Sequence, residues 1–179
     1  MTKFFHSFLF VIFLGVLLLA SCKQNSSNAP VADRKTQKEN LLKANKGLVS
    51  LDQQRIKNYA KRRNWEMQVS ETGLWYQLMD TNTNEKAMAG KIAHLKYQVS
   101  LLDGTICYTS DSLGVMQFKI GQGGVESGLE EAILLMRVGE KGRFILPPHL
   151  AHGLLGDDNK IPPRSVIVYS AELLKLTDY

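Results

Sequence analysis

The segment from Gly121 to Gly139, GQGGVESGLEEAILLMRVG, most constrains what this chain can fold into. Its glycines predict a turning loop, and the spacing of Ser127 and Glu130 is typical of a helix capping box. Apolar residues then recur at helical spacing, namely Leu129, Ala132, Ile133 and Met136, with Leu134 and Leu135 widening the apolar face. Gly139 supplies a left-handed residue for the helix end. Because so short a helix is marginal alone in water, we expect it to pack on strands that flank it.

The sequence around this segment alternates with the period of a β-strand. Residues 73–79, 105–109, 116–120 and 141–146 are predicted strands, and Asp103-Gly104 is a strong hairpin signal. Apolar residues alternate from Ala93 to Leu101, which predicts a strand with one solvated face and places His94 on that face. A long loop over 149–163 precedes a closing strand that carries Ile167, Tyr169, Ala171 and Leu173 on one side. The predicted fold is α+β, with an antiparallel sheet of five to six strands wrapped around one short helix and preceded by a helical N-terminal segment.

Composition limits the number of domains and the classes of partner. The chain has 179 residues and a formal net charge of +5, enough for one compact domain with additional segments. The positive charge is mild and spread out, so no nucleic-acid partner is expected. Two cysteines, Cys22 and Cys107, build neither a disulfide framework nor a zinc pattern.

The first residues have the pattern of an export signal. Lys3 precedes an apolar run from Phe8 to Leu19, which is too short to span a bilayer and suits a signal peptide over residues 1–21. The run ends in Leu19-Ala20-Ser21-Cys22, which resembles the lipobox of bacterial lipoproteins, so Cys22 is the predicted lipid attachment site and membrane contact. The alternative is an ordinary secretory signal cut after Ser21, which leaves Cys22 as a spare thiol. Residues 22–33 are polar and suit a flexible tether.

Residues 34–68 are predicted to be helical. One apolar stripe runs through Leu41 and Leu48, Gly47 interrupts it, and Ser50 is a plausible cap for a second helix. The basic residues near its end either contact anionic lipid or form a solvated helix face.

From residue 91 to 176 the sequence resembles the FKBP-type peptidyl-prolyl isomerases. The motifs that carry the resemblance are LLDGT, FKIGQGGVESGLEEA, MRVGEKGRF, the AHG triplet, IPP at 161–163 and AELLKL. The resemblance implies an FKBP-like domain over 69–179, which agrees with the fold predicted from periodicity. The whole layout is similar to envelope FKBP lipoproteins, including gliding-motility-associated ones, which implies a location in the bacterial cell envelope facing the periplasm or outer surface.

The resemblance also implies a ligand pocket between the helix and the loops. Its catalytic positions correspond to Tyr97, Tyr108, His152 and Tyr169. Its substrate-binding positions correspond to Cys107, Phe118, Val125, Glu126, Leu129 and Ile161, with Val125 presenting a backbone amide. The chain departs from the family pattern at Cys107-Tyr108, usually Phe-Asp, at Glu126, usually isoleucine, and at His152, usually tyrosine.

Such a pocket implies prolyl isomerisation of proline-containing clients without cofactor or metal. Rotation about the amide bond has a barrier of ~18–20 kcal/mol, and an apolar pocket lowers it by removing water that favours the charge-separated planar form. The expected function is to assist the folding of exported proteins. The alternatives are a catalytically weak binding module or chaperone, which could serve a gliding or secretion apparatus, and a purely structural lipoprotein.

Other constellations predict weaker alternatives. His149 and His152, with Asp157 and Asp158 downstream, resemble a metal pair but lie after a double proline with no third ligand at a fixed spacing, so no metal is expected. The glycines at 121, 123 and 124 match a phosphate loop only loosely. Cys107 has no histidine partner at a readable spacing, which disfavours a thiol nucleophile.

Overall fold

The structure is a computed structural model that describes residues 31–178, with side chains from Asp33 onward. The predicted signal peptide, the lipid attachment at Cys22 and most of the predicted tether lie outside the described residues. The chain divides after Ala44 into two compact units. The described elements are the helices α1 (Val31–Arg62), α2 (Ser110–Leu113) and α3 (Ser127–Leu135) and the strands β1 (Gln68–Val69), β2 (Trp75–Met79), β3 (Ile92–Leu101), β4 (Ile106–Thr109), β5 (Met116–Lys119), β6 (Lys141–Leu146) and β7 (Ile167–Thr177), with one 3₁₀ turn at Pro148–Leu150.

The strands form one antiparallel sheet in the order β1-β2-β6-β7-β3-β4, with β5 paired to β3 beside this path. The sheet has seven strands, more than the five to six predicted, because the two-residue β1 and the short β5 both pair. The predicted hairpin is present, and the backbone N–H of Thr105 donates to the Asp103 carboxylate at 2.9 Å. The predicted fold class is confirmed.

The short helix α3 fills one face of this sheet. Its apolar residues are fully buried, as the helical spacing predicted: Leu129, Ala132, Ile133 and the following Met136. They meet inward side chains of the long central strands, among them Leu95, Phe144 and Tyr169. One hydrophobic core cluster of the described residues therefore lies between α3 and the sheet.

The start of α3 differs from the predicted capping box. Glu126 occupies the N-cap position without a side-chain cap bond, and Ser127 already belongs to the helix. The Glu130 carboxylate accepts instead from the backbone N–H groups of Gly121 and Gly123, at 2.6 and 3.2 Å. The helix also ends early, at Leu135, so Gly139 (φ +84°) lies in the turn beyond it, and Leu134 is 39% exposed. The Glu130 carboxylate, which the spacing predicted would bind the cap residue, therefore binds glycine N–H groups of the preceding loop instead.

The long N-terminal helix α1 is continuous, and the predicted break at Gly47 and cap at Ser50 are wrong. A glycine in a helix interior costs about 1 kcal/mol relative to alanine, which does not stop a helix of this length. The helix begins at Val31, inside the segment predicted as a tether. Residues 33–51 are exposed, whereas Ile56 and Tyr59 are buried against Ile145 and Val168 on the outer face of the sheet.

His94 is buried, and its predicted place on the solvated face is wrong. Its ring is 8% exposed, and Nε2 lies 3.1 Å from the Thr177 hydroxyl of β7. At this position β3 has a neighbour on each side, and its register against β7 shifts between His94 and Leu95. Burial, together with the charge of Lys175, lowers the pKa of His94 from its ordinary value of 6.5, so the ring is held neutral.

None of the described helices is long and apolar enough to cross a membrane.

Candidate active site

A cleft of about 530 Å³ opens beside the start of α3. Residues of β3, β4, β5, β7 and α2 line it, together with residues 124–126 before α3 and the loop between β6 and β7 (residues 147–166, the β6–β7 loop). The lining residues are Tyr97, Val99, Tyr108, Leu113, Met116, Gly124, Val125, Glu126, Ala151, His152 and Tyr169. The surface is largely apolar and aromatic, as is usual for sites that enclose an apolar ligand.

Two tyrosine rings form the inner wall of the cleft. Tyr97 and Tyr169 are 8% and 2% exposed, and their ring centroids lie 6.4 Å apart with an interplanar angle of 42°. Burial and the nearby charge of Glu126 raise the pKa of each phenol above its ordinary value of 10.0. Both rings are therefore neutral at physiological pH.

The predicted site residues fall into two layers. Those that line the cleft are Tyr97, Tyr108, Val125, Glu126, His152 and Tyr169. Those that are buried in the core and do not line the cleft are Cys107, Phe118, Leu129 and Ile161. Because the four buried residues pack in one hydrophobic cluster with Tyr97 and Tyr169, they support the aromatic wall of the cleft.

Glu126 is the centre of a hydrogen-bond network inside the cleft. Its carboxylate accepts from the Tyr169 hydroxyl, at 3.0 Å for Oε1 and 3.1 Å for Oε2, and Oε1 lies 2.8 Å from His152 Nε2. The carboxylate side chain is only 11% exposed. A charge in so apolar a place requires such partners, because burying it unpaired is costly. One nitrogen of His152, predicted to donate to substrate, is thus bound to Glu126.

A second hydrogen-bonded pair, Tyr108 and Asp157, supports the wall of the cleft at Tyr108. The Tyr108 hydroxyl donates to Asp157, whose other oxygen accepts from the backbone N–H groups of Ile161 at 2.7 Å and Asn159 at 3.0 Å. Burial alone would raise the pKa of Asp157, but these hydrogen bonds outweigh it, and the pKa lies below its ordinary value of 3.8. The hydrogen bond to Asp157, with burial, raises the pKa of Tyr108. Asp157 is thus an ionised carboxylate that holds a neutral phenol in place.

Cys107 lies behind this wall and is not activated. It is 2% exposed, and its Sγ lies 3.6 Å from the carbonyl oxygen of Lys160. Burial, with the charge of Asp157, raises the pKa of the thiol, which keeps it protonated at neutral pH. A thiolate nucleophile is therefore disfavoured.

The two histidines of the β6–β7 loop have separate partners. His149 Nε2 lies 2.9 Å from the carbonyl oxygen of Thr72, outside the cleft, whereas His152 contacts Glu126 inside it. Among the described residues, no three side chains of the types that bind metals converge on a point. The cleft residues offer an apolar surface and a few fixed hydrogen-bonding groups.

Sequence reasoning missed several lining residues. They are Val99, Leu113, Met116, Gly124 and Ala151. Sequence reasoning also missed Asp157 as the hydrogen-bond partner of Tyr108. The alternating apolar residues of β3 and β5 include Val99 and Met116, and this pattern could have predicted that both side chains face the cleft. Asp157 reaches Tyr108 across 49 positions, which no local pattern reveals.

Comparison with known proteins agrees with this geometry. The family model described as "FKBP-type peptidyl-prolyl cis-trans isomerase" matches residues 83–174, just over half of the chain. "FK506-binding protein 2" from Yarrowia lipolytica is 35% identical over 107 residues, which are 59% of this chain and 74% of that protein. Bovine "Peptidyl-prolyl cis-trans isomerase FKBP11" is 40% identical over 92 residues, 51% of this chain and 45% of that protein.

Solved structures show the same fold. The crystal structure of AtFKBP13 matches with a TM-score of 0.60 and 28% identity, covering 63% of this chain and 99% of that one. The structure of FkpA from Escherichia coli matches with a TM-score of 0.63 and 24% identity, covering 94% of this chain and 81% of that one. The chain therefore belongs to the family of FKBP-type peptidyl-prolyl cis-trans isomerases, as its sequence motifs predicted.

Proposed function

We propose that the cleft catalyses cis–trans isomerisation of Xaa-Pro bonds in exported polypeptides. The observation that carries this proposal is the buried pair of neutral tyrosine rings, Tyr97 and Tyr169, at the back of an otherwise apolar cleft. A proline ring and the bond before it would lie against these rings.

The chemistry requires no covalent step. The planar amide is stabilised by a charge-separated resonance form that water favours, and the twisted amide has lost that resonance. An apolar wall therefore stabilises the twisted state relative to the planar one, and each ~1.4 kcal/mol of this difference gives a tenfold increase in rate. The backbone N–H of Val125 and the free side of the His152 ring would hold the client chain during rotation.

The cellular part of the proposal rests on the N-terminal sequence. An apolar run that closes in Leu-Ala-Ser-Cys would export the chain and attach lipid to Cys22, and the cleft would then act at the bacterial cell envelope. Clients would be exported proteins that contain proline, including components of a gliding or secretion apparatus.

One observation favours a second function, binding without useful turnover. The Tyr169 hydroxyl and one nitrogen of His152 are both bound to Glu126, so a charge occupies the cleft where a client would lie. Cys107 also presents less surface than a ring to the wall behind Tyr108. A domain with these features could hold proline segments as a binding module or chaperone.

A protease-coupled isomerisation assay on the mature protein separates the two functions. We expect catalysis by the wild type and a several-fold lower kcat/KM for His152→Ala, because a fixed donor at the cleft is lost. His149→Ala, in the same loop but bonded to Thr72 outside the cleft, is the matched control and should retain wild-type activity. Binding of proline peptides without any turnover would overturn the isomerase proposal and favour the binding module.

A further inference from the structure

The β6–β7 loop carries His152 into the cleft, and Arg164 of this loop forms an ion pair with the buried carboxylate of Asp52 in α1. Arg164 Nη2 lies 2.6 Å from Asp52 Oδ2, and the Asp52 side chain is 6% exposed. Arg55 lies 4.0 Å from the other oxygen but is 59% exposed. Arg164 is therefore the close partner of the Asp52 carboxylate.

Arg164 adopts a backbone conformation that an arginine avoids. Its φ is +57°, in the left-handed region, where a Cβ meets the backbone and residues other than glycine are strained. Such a conformation persists only where surrounding contacts impose it. Two contacts do so here: the ion pair with Asp52 and the Arg164 N–H, which donates to the carbonyl oxygen of Gly153 at 3.1 Å.

The second contact leads directly to the cleft. Gly153 follows His152, whose Nε2 lies 2.8 Å from Glu126. The hydrogen bond from Arg164 to Gly153 thus connects the two ends of the loop. Asp52 of α1 binds the side chain of the same arginine. A contiguous set of bonds runs from Asp52 through Arg164, Gly153 and His152 to Glu126.

We propose that Asp52 is a positioning residue for the cleft, which holds the left-handed backbone at Arg164 and through it the place of His152. This inference rests on the proposed isomerase function, since its effect is read as catalysis. Asp52 does not touch the client. It fixes the loop end that sets the position of the His152 ring.

The test uses the full-length protein in detergent and compares kcat/KM with thermal stability. We expect Asp52→Asn to lower kcat/KM about three- to tenfold, since a hydrogen-bonding group moved from its place loses transition-state stabilisation. Arg55→Gln, which changes the exposed neighbour of the same carboxylate, is the matched control and should leave activity unchanged. The effect of Asp52→Asn should disappear when it is added to His152→Ala, because the two changes act through one ring.

Rescue by glycine distinguishes positioning from a general loss of stability. Glycine adopts a positive φ without strain, so Arg164→Gly keeps the left-handed backbone without needing Asp52. Arg164→Ala removes the same charge but leaves the strain. We therefore expect Arg164→Ala to lose activity, Arg164→Gly to retain it, and Asp52→Asn with Arg164→Gly to regain activity that Asp52→Asn lost.

The outcomes separate this inference from the function on which it rests. A wild type without turnover overturns the isomerase proposal itself. An active wild type with an unchanged Asp52→Asn, or with an Asp52→Asn effect that adds fully to His152→Ala, overturns only the positioning role. If Asp52→Asn does not fold, the Arg164→Ala and Arg164→Gly pair decides, and equal activities of those two variants overturn the inference.

Discussion

The Tyr169 hydroxyl lies within hydrogen-bonding distance of both carboxylate oxygens of Glu126, at 3.0 and 3.1 Å. The wall residue Tyr169 is thus also the hydrogen-bond partner of the carboxylate at the N-cap position of α3. Tyr169 donates the hydrogen bond that stabilises the Glu126 carboxylate, and Glu126 fixes the Tyr169 hydroxyl. A substitution at either position should therefore affect the other.

Tyr169→Phe should destabilise the protein while keeping the shape of the wall. It removes a donor from a carboxylate that is 11% exposed, and losing a hydrogen bond to such a group costs ~1–3 kcal/mol. Tyr76→Phe is the matched control, because the Tyr76 hydroxyl donates to the exposed Gln68 side chain. Chemical denaturation measures both variants, and an equal loss of unfolding free energy in the two would contradict the role of the Glu126 contact.

Glu126→Ile should increase catalysis. The change removes a charge from the apolar cleft and frees the Tyr169 hydroxyl and the His152 ring, so we expect kcat/KM to rise about threefold or more. Glu131→Gln, on the same helix with its carboxylate bonded to Thr72, serves as the control for a lost negative charge. A Glu126→Ile variant that loses turnover would mean that the carboxylate itself takes part in catalysis.

Asp157 should contribute to the acid limb of the stability profile. Its pKa in the folded protein lies below the ordinary 3.8, so the unfolded chain binds the proton more readily. The stabilisation is present above about pH 4 and is lost as pH falls through the lower folded-state pKa. Asp157→Asn should flatten this fall in urea titrations between neutral pH and pH 3. Asp158→Asn, at the exposed neighbour with φ +57° that asparagine tolerates, should leave the profile as in the wild type.

Gly128→Ala should destabilise the domain strongly. A Cβ at this position would lie 2.6 Å from Leu146 Cγ and 2.9 Å from the carbonyl oxygen of Leu150, where α3 packs on the sheet and the β6–β7 loop. Such overpacking costs ~1–3 kcal/mol or more. Gly47→Ala, in the exposed interior of α1 with no atom within 4 Å of the added Cβ, should instead stabilise by ~0.4–1 kcal/mol. Thermal melts compare the two, and a neutral Gly128→Ala would show that this approach of α3 to the sheet is loose.

Cys22→Ser tests the proposed anchor. Without a thiol there is no lipid attachment, so we expect the variant to be released from membranes or to keep its uncleaved signal. Fractionation and the mass of the mature N-terminus measure both. A variant that is still processed and membrane-bound would contradict lipid attachment at Cys22, and Cys107→Ser is the control for loss of a thiol elsewhere in the chain.

The sequence determined the elements that periodicity and turn chemistry encode locally. The alternation from Ala93 to Leu101, the Asp103-Gly104 turn and the helical spacing of Leu129 and Ile133 each depend on neighbours a few residues away, and each predicted an element that the structure contains. The motifs also identified the tyrosines and loop residues that line the cleft, because a family pattern carries the pairing of distant segments that a single sequence does not reveal.

Only the tertiary structure decided which polar groups meet. The Glu130 carboxylate accepts from glycine N–H groups rather than from the backbone N–H of the predicted cap residue, Asp157 reaches Tyr108, and Arg164 reaches Asp52. Each pair depends on how the loops lie over the sheet, which local sequence does not specify. His94 is likewise buried at a position that alternation alone would leave in water, with its ring beside the Thr177 hydroxyl of β7. Local sequence patterns determine which face of an element a residue occupies. The packing of distant segments determines its burial and its hydrogen-bond partners.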